Sequence, residues 1–140
     1  MKHKRTVLKL FFTLFLTISQ LTAQYMTPEQ VVQKQLETYN QRDINGFMSL
    51  IAENVTFHDY ADGSITLSGA SACKEFYSNL FEASPNLHST ILQRTIFGNK
   101  VIDHERITGR NGNKDIVELM LIYEVHKGKI IKVTVLRKED

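Results

Sequence analysis

Asp59 and His104 are the two side chains whose surroundings suit acid–base chemistry. Asp59 ends the run Val55-Thr-Phe-His-Asp59, which alternates and is β-branched, as a short strand should be. Tyr60 to Gly63 follow as a loop, with Asp62-Gly63 as its turn signal. A carboxylate where an apolar strand stops stands at the edge of a core. Loss of water there raises its pKa, and a neighbouring cation lowers it again. His104 lies in VIDHERITG. A carboxylate beside an imidazole raises its pKa and fixes its tautomer, giving a base near neutral pH. If His104 turns to the same side as Asp59, the two can share a proton, Asp59 orienting the ring and His104 acting as base. Plainer roles stand beside this one: Asp59 as a turn acid capping the loop, His104 as a hydrogen-bonded sheet residue. His58 alternates away from Asp59, His88 lacks the spacing of a metal site, and His126 belongs to a hairpin.

The elements that must position these groups follow from local pattern. Thr27-Pro-Glu-Gln30 is a helix start, with Thr27 as cap, Pro28 in the first turn and Gln30 closing a capping box. Val31, Val32, Leu36 and Tyr39 then recur at helical spacing. Asp43 can cap a second helix carrying Phe47, Met48, Leu50 and Ile51, kept short by Gly46. After Asp59, Ile65-Thr-Leu67 is a small strand or merely extended. A third helix is expected from about Ser71 to Glu82, burying Ala72, Phe76, Leu80 and Phe81, and Ser84-Pro85-Asn86 ends it.

Strands are expected at Leu87–Phe97, Lys100–Gly109, Asp115–Lys127 and Lys129–Arg137. Tight reversals at Gly98-Asn99, Asn111-Gly112 and Lys127-Gly128 make them antiparallel hairpins. The third strand is apolar on both faces, so both should be covered, one by the helices and the other by a second subunit. In VIDHERITG, Val101, Asp103, Glu105 and Ile107 share one face, and Ile102, His104 and Arg106 the other. Each face mixes apolar and charged residues, so the pattern alone does not say which turns inward.

Composition narrows the class. The 140 residues suit one domain. A basic start (MKHKRTVLK), an apolar run (LFFTLFLTI) and a small residue at Ala23 have the order of a secretory signal peptide. The apolar run is shorter than the roughly 20 residues of a membrane span. Residues 1–23 are thus read as a signal peptide, 24–140 as the domain, and the product as secreted or periplasmic without a stable membrane anchor. A signal anchor or a buried N-terminal helix is the alternative. Lys2, Lys4, Arg5 and Lys9 would leave with the peptide, so the basic pI of the full chain gives no case for nucleic acid. Cys73 is the only cysteine, which excludes an intrachain disulfide. No P-loop, dinucleotide fingerprint or nucleophile elbow occurs, and no cofactor is expected.

Helix, helix, strand, helix and then an antiparallel sheet is an α+β order. Three segments, YNQRDINGFMSLIAENVTFHDY, SGASACKEFY and YEVHKGKIIKV, carry a resemblance. From Thr27 to Arg137 the chain resembles the cone-shaped, cystatin-like fold of nuclear transport factor 2-like proteins, the superfamily of SnoaL-like cyclases and ketosteroid isomerases. The resemblance implies a hydrophobic small molecule in the mouth of the cone, beside a carboxylate at the end of the first strand, where Asp59 falls. It also turns Ile102, His104 and Arg106 inward, giving the Asp–His pair shared by the dehydrochlorinase and scytalone dehydratase branches. Tyr77 falls on a pocket position.

In ketosteroid isomerases the aspartate works beside a tyrosine and a protonated aspartic acid that form an oxyanion hole. Those positions here fall near Gln35 and near Leu119 or Met120. Such donors contribute several kcal/mol to catalysis, so steroid isomerisation is not expected. The implied site is catalytic Asp59 and His104 with substrate-binding Tyr77, Arg106, Gln35 and Leu119. The implied activity is cofactor-independent isomerase, dehydratase or lyase chemistry in a homodimer. The alternative is a non-catalytic binding or interaction module of the same fold.

Overall fold

A computed structural model describes residues 24–138; the expected signal peptide, residues 1–23, lies outside the described residues. The first helix, α1 (Pro28–Gln41), begins as its sequence dictates. Thr27 Oγ1 accepts from the Gln30 amide, and the Gln30 side chain accepts from the Thr27 amide. Arg42, in left-handed backbone at φ 55°, ends it. The short α2 (Ile44–Met48) follows, with Asp43 capping the Gly46 amide. The chain then crosses into β1 (Ile51–Asp59), β2 (Ile65–Ser68) and α3 (Ala70–Ala83). Four long strands complete it: β3 (His88–Phe97), β4 (Lys100–Thr108), β5 (Val117–His126) and β6 (Lys129–Arg137).

The six strands form one sheet in the order β2-β1-β6-β5-β4-β3. β3 to β6 are an antiparallel meander, as expected. The reversals at Gly98-Asn99 and Lys127-Gly128 are tight, with positive φ at Gly98, Lys127 and Gly128. The Asn111-Gly112 reversal is not a tight hairpin. Residues 109–116 form a longer loop around a 3₁₀ turn at Arg110–Gly112. β1 lies parallel to β6, a pairing that joins the two ends of the domain.

The helices cover one face of this sheet, and the core lies between them. Phe47, Val31, Val32, Val55, Leu87, Ile130 and Val133 are almost wholly excluded from water. Burying each such side chain contributes about 1.5–3 kcal/mol. Tyr77 is the hub of an aromatic cluster, with its ring centroid 4.3 Å from Phe47 and 5.9 Å from Phe81. The inner face of α3 differs from expectation. Cys73, Leu80 and Phe81 are buried, whereas Ala72 and Phe76 are exposed. Burial pushes the Cys73 thiol up to about 12, so it behaves as a small apolar side chain. Among the described residues no helix is long and apolar enough to cross a membrane.

Candidate functional site

Between α1, α3 and the covered face of the sheet lies a cavity of about 240 Å³. Its walls are mostly apolar, with Phe47, Phe57, Leu80, Leu121 and Val133 among them. Eight polar residues also reach it: Gln35, Tyr39, Thr66, Tyr77, Glu105, Arg110, Tyr123 and Arg137. An apolar pocket with a few convergent polar groups is the common form of a small-molecule site.

Glu105 is the group with the most unusual setting. It lies at the middle of β4 and is only 4% exposed. One carboxyl oxygen accepts from Ser89 Oγ at 2.8 Å and the other from the Tyr123 hydroxyl at 3.1 Å. Burial pushes its pKa above the ordinary carboxylate range. The Ser89 hydrogen bond acts against that shift, the Asp103 charge adds to it, and the Tyr123 bond opposes it. Asp103, one step along the same face, is fully buried but answered by Arg94, whose guanidinium grips both carboxylate oxygens at 2.7 Å.

The other polar groups surround this carboxyl. Glu105 and Arg137 sit in one cross-strand row, on either side of Leu119. Arg137 Nη1 donates to Asp59 Oδ2 at 2.6 Å, and Asp59 Oδ1 accepts from the Ala61 amide. Asp59 is on the same face as Phe57 but does not itself line the cavity, which its partner Arg137 does. Burial raises the pKa of Tyr39 and Tyr77, so both carry neutral hydroxyls. Among the described residues neither hydroxyl has a hydrogen-bond partner, and neither is sealed from the cavity.

A sequence-family model for the SnoaL-like domain matches residues 32–133. The chain belongs to this family. Solved structures place the SnoaL-like domain in its fold at low identity. A cystatin-fold protein from Novosphingobium aromaticivorans is 17% identical, with 80% of this chain and 99% of that one covered at a TM-score of 0.72. A nuclear transport factor 2-like protein from Cytophaga hutchinsonii is 16% identical, covering 83% and 94% at a TM-score of 0.68. A protein with a ketosteroid isomerase-like fold from Catenulispora acidiphila, solved with trimethylamine, is 19% identical, covering 79% and 85% at 0.64. No curated protein matches this sequence.

The SnoaL-like frame brings some of the expected residues together and separates others. Gln35, Tyr77 and Leu119 line the cavity. His104 and Arg106 do not, which corrects the expected orientation of β4. The inward face is Val101, Asp103, Glu105 and Ile107, all buried. Both acids on that face find partners, the half-buried Arg94 for Asp103 and two buried hydroxyls for Glu105. His104 and Arg106 project from the opposite face, where Glu118 receives both, at 2.8 Å from His104 and 3.7 Å from Arg106. Asp59 and His104 therefore lie on opposite faces of the sheet, and the expected dyad does not form.

His58 is held by Thr56 and the Gly63 carbonyl. Sequence reasoning left out Glu105 and Arg110 as site residues and took Tyr39 as core alone. The available signal was the pair Asp103 and Glu105 alternating with Val101 and Ile107. Among the described residues no three His, Cys, Asp or Glu side chains converge as a metal site.

Proposed function

We propose that this SnoaL-like domain binds an apolar small molecule in its cone and performs cofactor-independent proton transfer on it, of isomerase or lyase type. The observation that carries the reading is Glu105, a buried carboxyl of raised pKa in the wall of an otherwise apolar cavity. Groups tuned in this way by burial cluster at catalytic sites. Ionised, Glu105 accepts a proton from a carbon or hydroxyl of the ligand, and then returns it to another atom of the same molecule. Ser89 and Tyr123 stabilise the ionised form at the moment it is needed. Tyr39 and Tyr77 offer neutral hydroxyl donors to an oxygen of the ligand.

The test uses the mature protein in deuterated water with hydrophobic carbonyl compounds that raise its melting temperature. Mass spectrometry should find solvent deuterium in at least one of them, and Glu105→Gln should abolish the exchange while leaving binding intact. Binding without exchange would refute the proton-transfer reading. It would support the second one, a non-catalytic binding module, which the occupation of both Glu105 oxygens by protein donors favours. Export belongs to the same proposal. Residues 1–23 have the order of a signal peptide, and intact mass of the exported protein should begin at Gln24. A product retaining Met1 would reject cleavage.

A further inference from the structure

Each arginine paired with the sheet has a carboxylate. Arg94 holds Asp103, Arg106 approaches Glu118, and Arg137 holds Asp59. Arg110 has neither an ion pair nor a side-chain hydrogen bond among the described residues, and yet it is half-buried and lines the cavity. Among the described residues no buried side-chain nitrogen lacks a partner, so the guanidinium nitrogens of Arg110 are reached by solvent and its five donors are open to an anion that enters the cavity.

The turn that carries Arg110 is fixed from several sides. Gly109 has φ 70°, and a Cβ there would fall 2.2 Å from the Asn86 carbonyl oxygen, so only glycine fits. The next amide, Asn111 N–H, donates to Ser84 Oγ at 2.8 Å, and Ser84 is itself wholly buried. The Asn113 amide closes the turn on the Arg110 carbonyl at 3.2 Å. These contacts anchor the Arg110 backbone to the end of α3 rather than to solvent.

Tyr39 and Tyr77 line the same cavity as the guanidinium. Its positive charge reaches the hydroxyls of Tyr39 and Tyr77, opposing the rise that burial gives both. The third charged group of the cavity, Arg137, is already neutralised by Asp59. Glu105 is the acidic group of the same cavity, and no ion pair joins it to Arg110 among the described residues. An anionic head is thus drawn to Arg110, the cavity's cation with no ion-pair partner among the described residues. The remaining lining, Phe47, Phe57, Tyr77, Leu80 and Val133, takes an apolar body. At about 30 Å³ per water-sized group, the cavity holds on the order of eight of them.

We infer that the ligand is a small amphipathic carboxylate, its head bound by Arg110 with the Tyr39 and Tyr77 hydroxyls, and its apolar body extending toward Glu105. This deepens the proposed function and rests on its reading of the cavity as a ligand site. It places the reacting proton on the ligand's apolar part, next to Glu105, with the carboxylate as handle rather than reaction centre.

Calorimetry on the mature protein tests it, with a panel of aromatic and aliphatic carboxylates led by trans-cinnamate, each beside its neutral amide. A carboxylate should bind about tenfold or more tighter than its amide, the usual scale for a charged hydrogen bond. Arg110→Gln should remove that preference while leaving amide affinity and melting temperature unchanged, and Arg110→Lys should restore part of it. If amides bind as well as carboxylates, or if Arg110→Gln weakens both alike, the anion assignment is overturned while the pocket reading stands. If neither class binds, both fall.

Discussion

Glu105 owes its raised pKa first to burial on the inner face of the sheet, and its neighbours there modify it. Asp103 lies beside it, Ser89 and Tyr123 donate to it, and Arg94 is committed to Asp103. Its folded pKa is raised, so the native state holds this proton more tightly than the unfolded chain does. The stability associated with that proton is complete below the unfolded value of about 4.3, and it is lost as pH rises through the raised folded value. Glu105→Gln has no proton to lose. Urea unfolding from about pH 4 upward should show the wild type weakening relative to this variant over that window, because other titrating groups are common to both. Parallel curves would mean that Glu105 is not perturbed in the folded protein. None of this was legible from Val101-Ile-Asp-His-Glu-Arg-Ile107 alone. Both faces of that run carry charge. The partner that selects the inner face, Arg94, lies on a strand whose register slips between Ile91 and Gln93.

At the scale of elements, what local sequence encodes and what it does not are clearly separated. The capping box of Thr27 and Gln30, the Asp43 cap and the two tight hairpins depend on residues within four positions of one another, and each was readable. The parallel pairing of β1 with β6 joins residues some 80 positions apart, and nothing local announces it. The loop 109–116 resembled a hairpin because Asn111-Gly112 looks like one. Its shape is set instead by Gly109 pressed against Asn86 and by Ser84. Gly109→Ala should therefore unfold at lower urea, losing more than about 1 kcal/mol, since strain and a clash coincide there. A neutral result in urea unfolding would remove the case for a rigid Arg110 turn. The Arg94–Asp103 bridge ties β3 to β4, and Arg94 also donates to Gln33 of α1 at 2.9 Å. Arg94→Ala leaves Asp103 buried without a counter-charge and should cost about 3 kcal/mol. Arg94→Met with Asp103→Leu should recover most of it, since the pair's own desolvation cost disappears. If the double variant is no more stable than Arg94→Ala, the loss lies in packing rather than in stranded charge.

At the scale of the molecule, the helices cover one face of the sheet and leave the other to solvent or to a partner. That outer face is not the polar surface expected of a solvated sheet. One cross-strand row is Ile102, Ile122 and Thr134, and the next is His104, Met120 and Leu136. Met120 is 39% exposed. Charges of both signs flank these rows: Arg106 and Glu118 on one side, Lys100, Lys132 and Glu124 on the other. A two-fold axis through such a patch brings apolar residues onto apolar ones and lets positive groups meet negative ones, as an isologous interface requires. We therefore propose that the domain is a homodimer through this face, with His104 and Glu118 near the interface rather than in a catalytic centre. Light scattering at micromolar concentration should give twice the monomer mass. Met120→Glu places a charge in the centre of the patch, so it should shift the population to monomer without lowering the urea midpoint of the monomeric fold. A wild-type monomer at that concentration would sink the proposal, and so would a Met120→Glu variant that stays dimeric, which would move the interface elsewhere. Because the cavity lies on the opposite face of the sheet, ligand affinity should be the same in both forms.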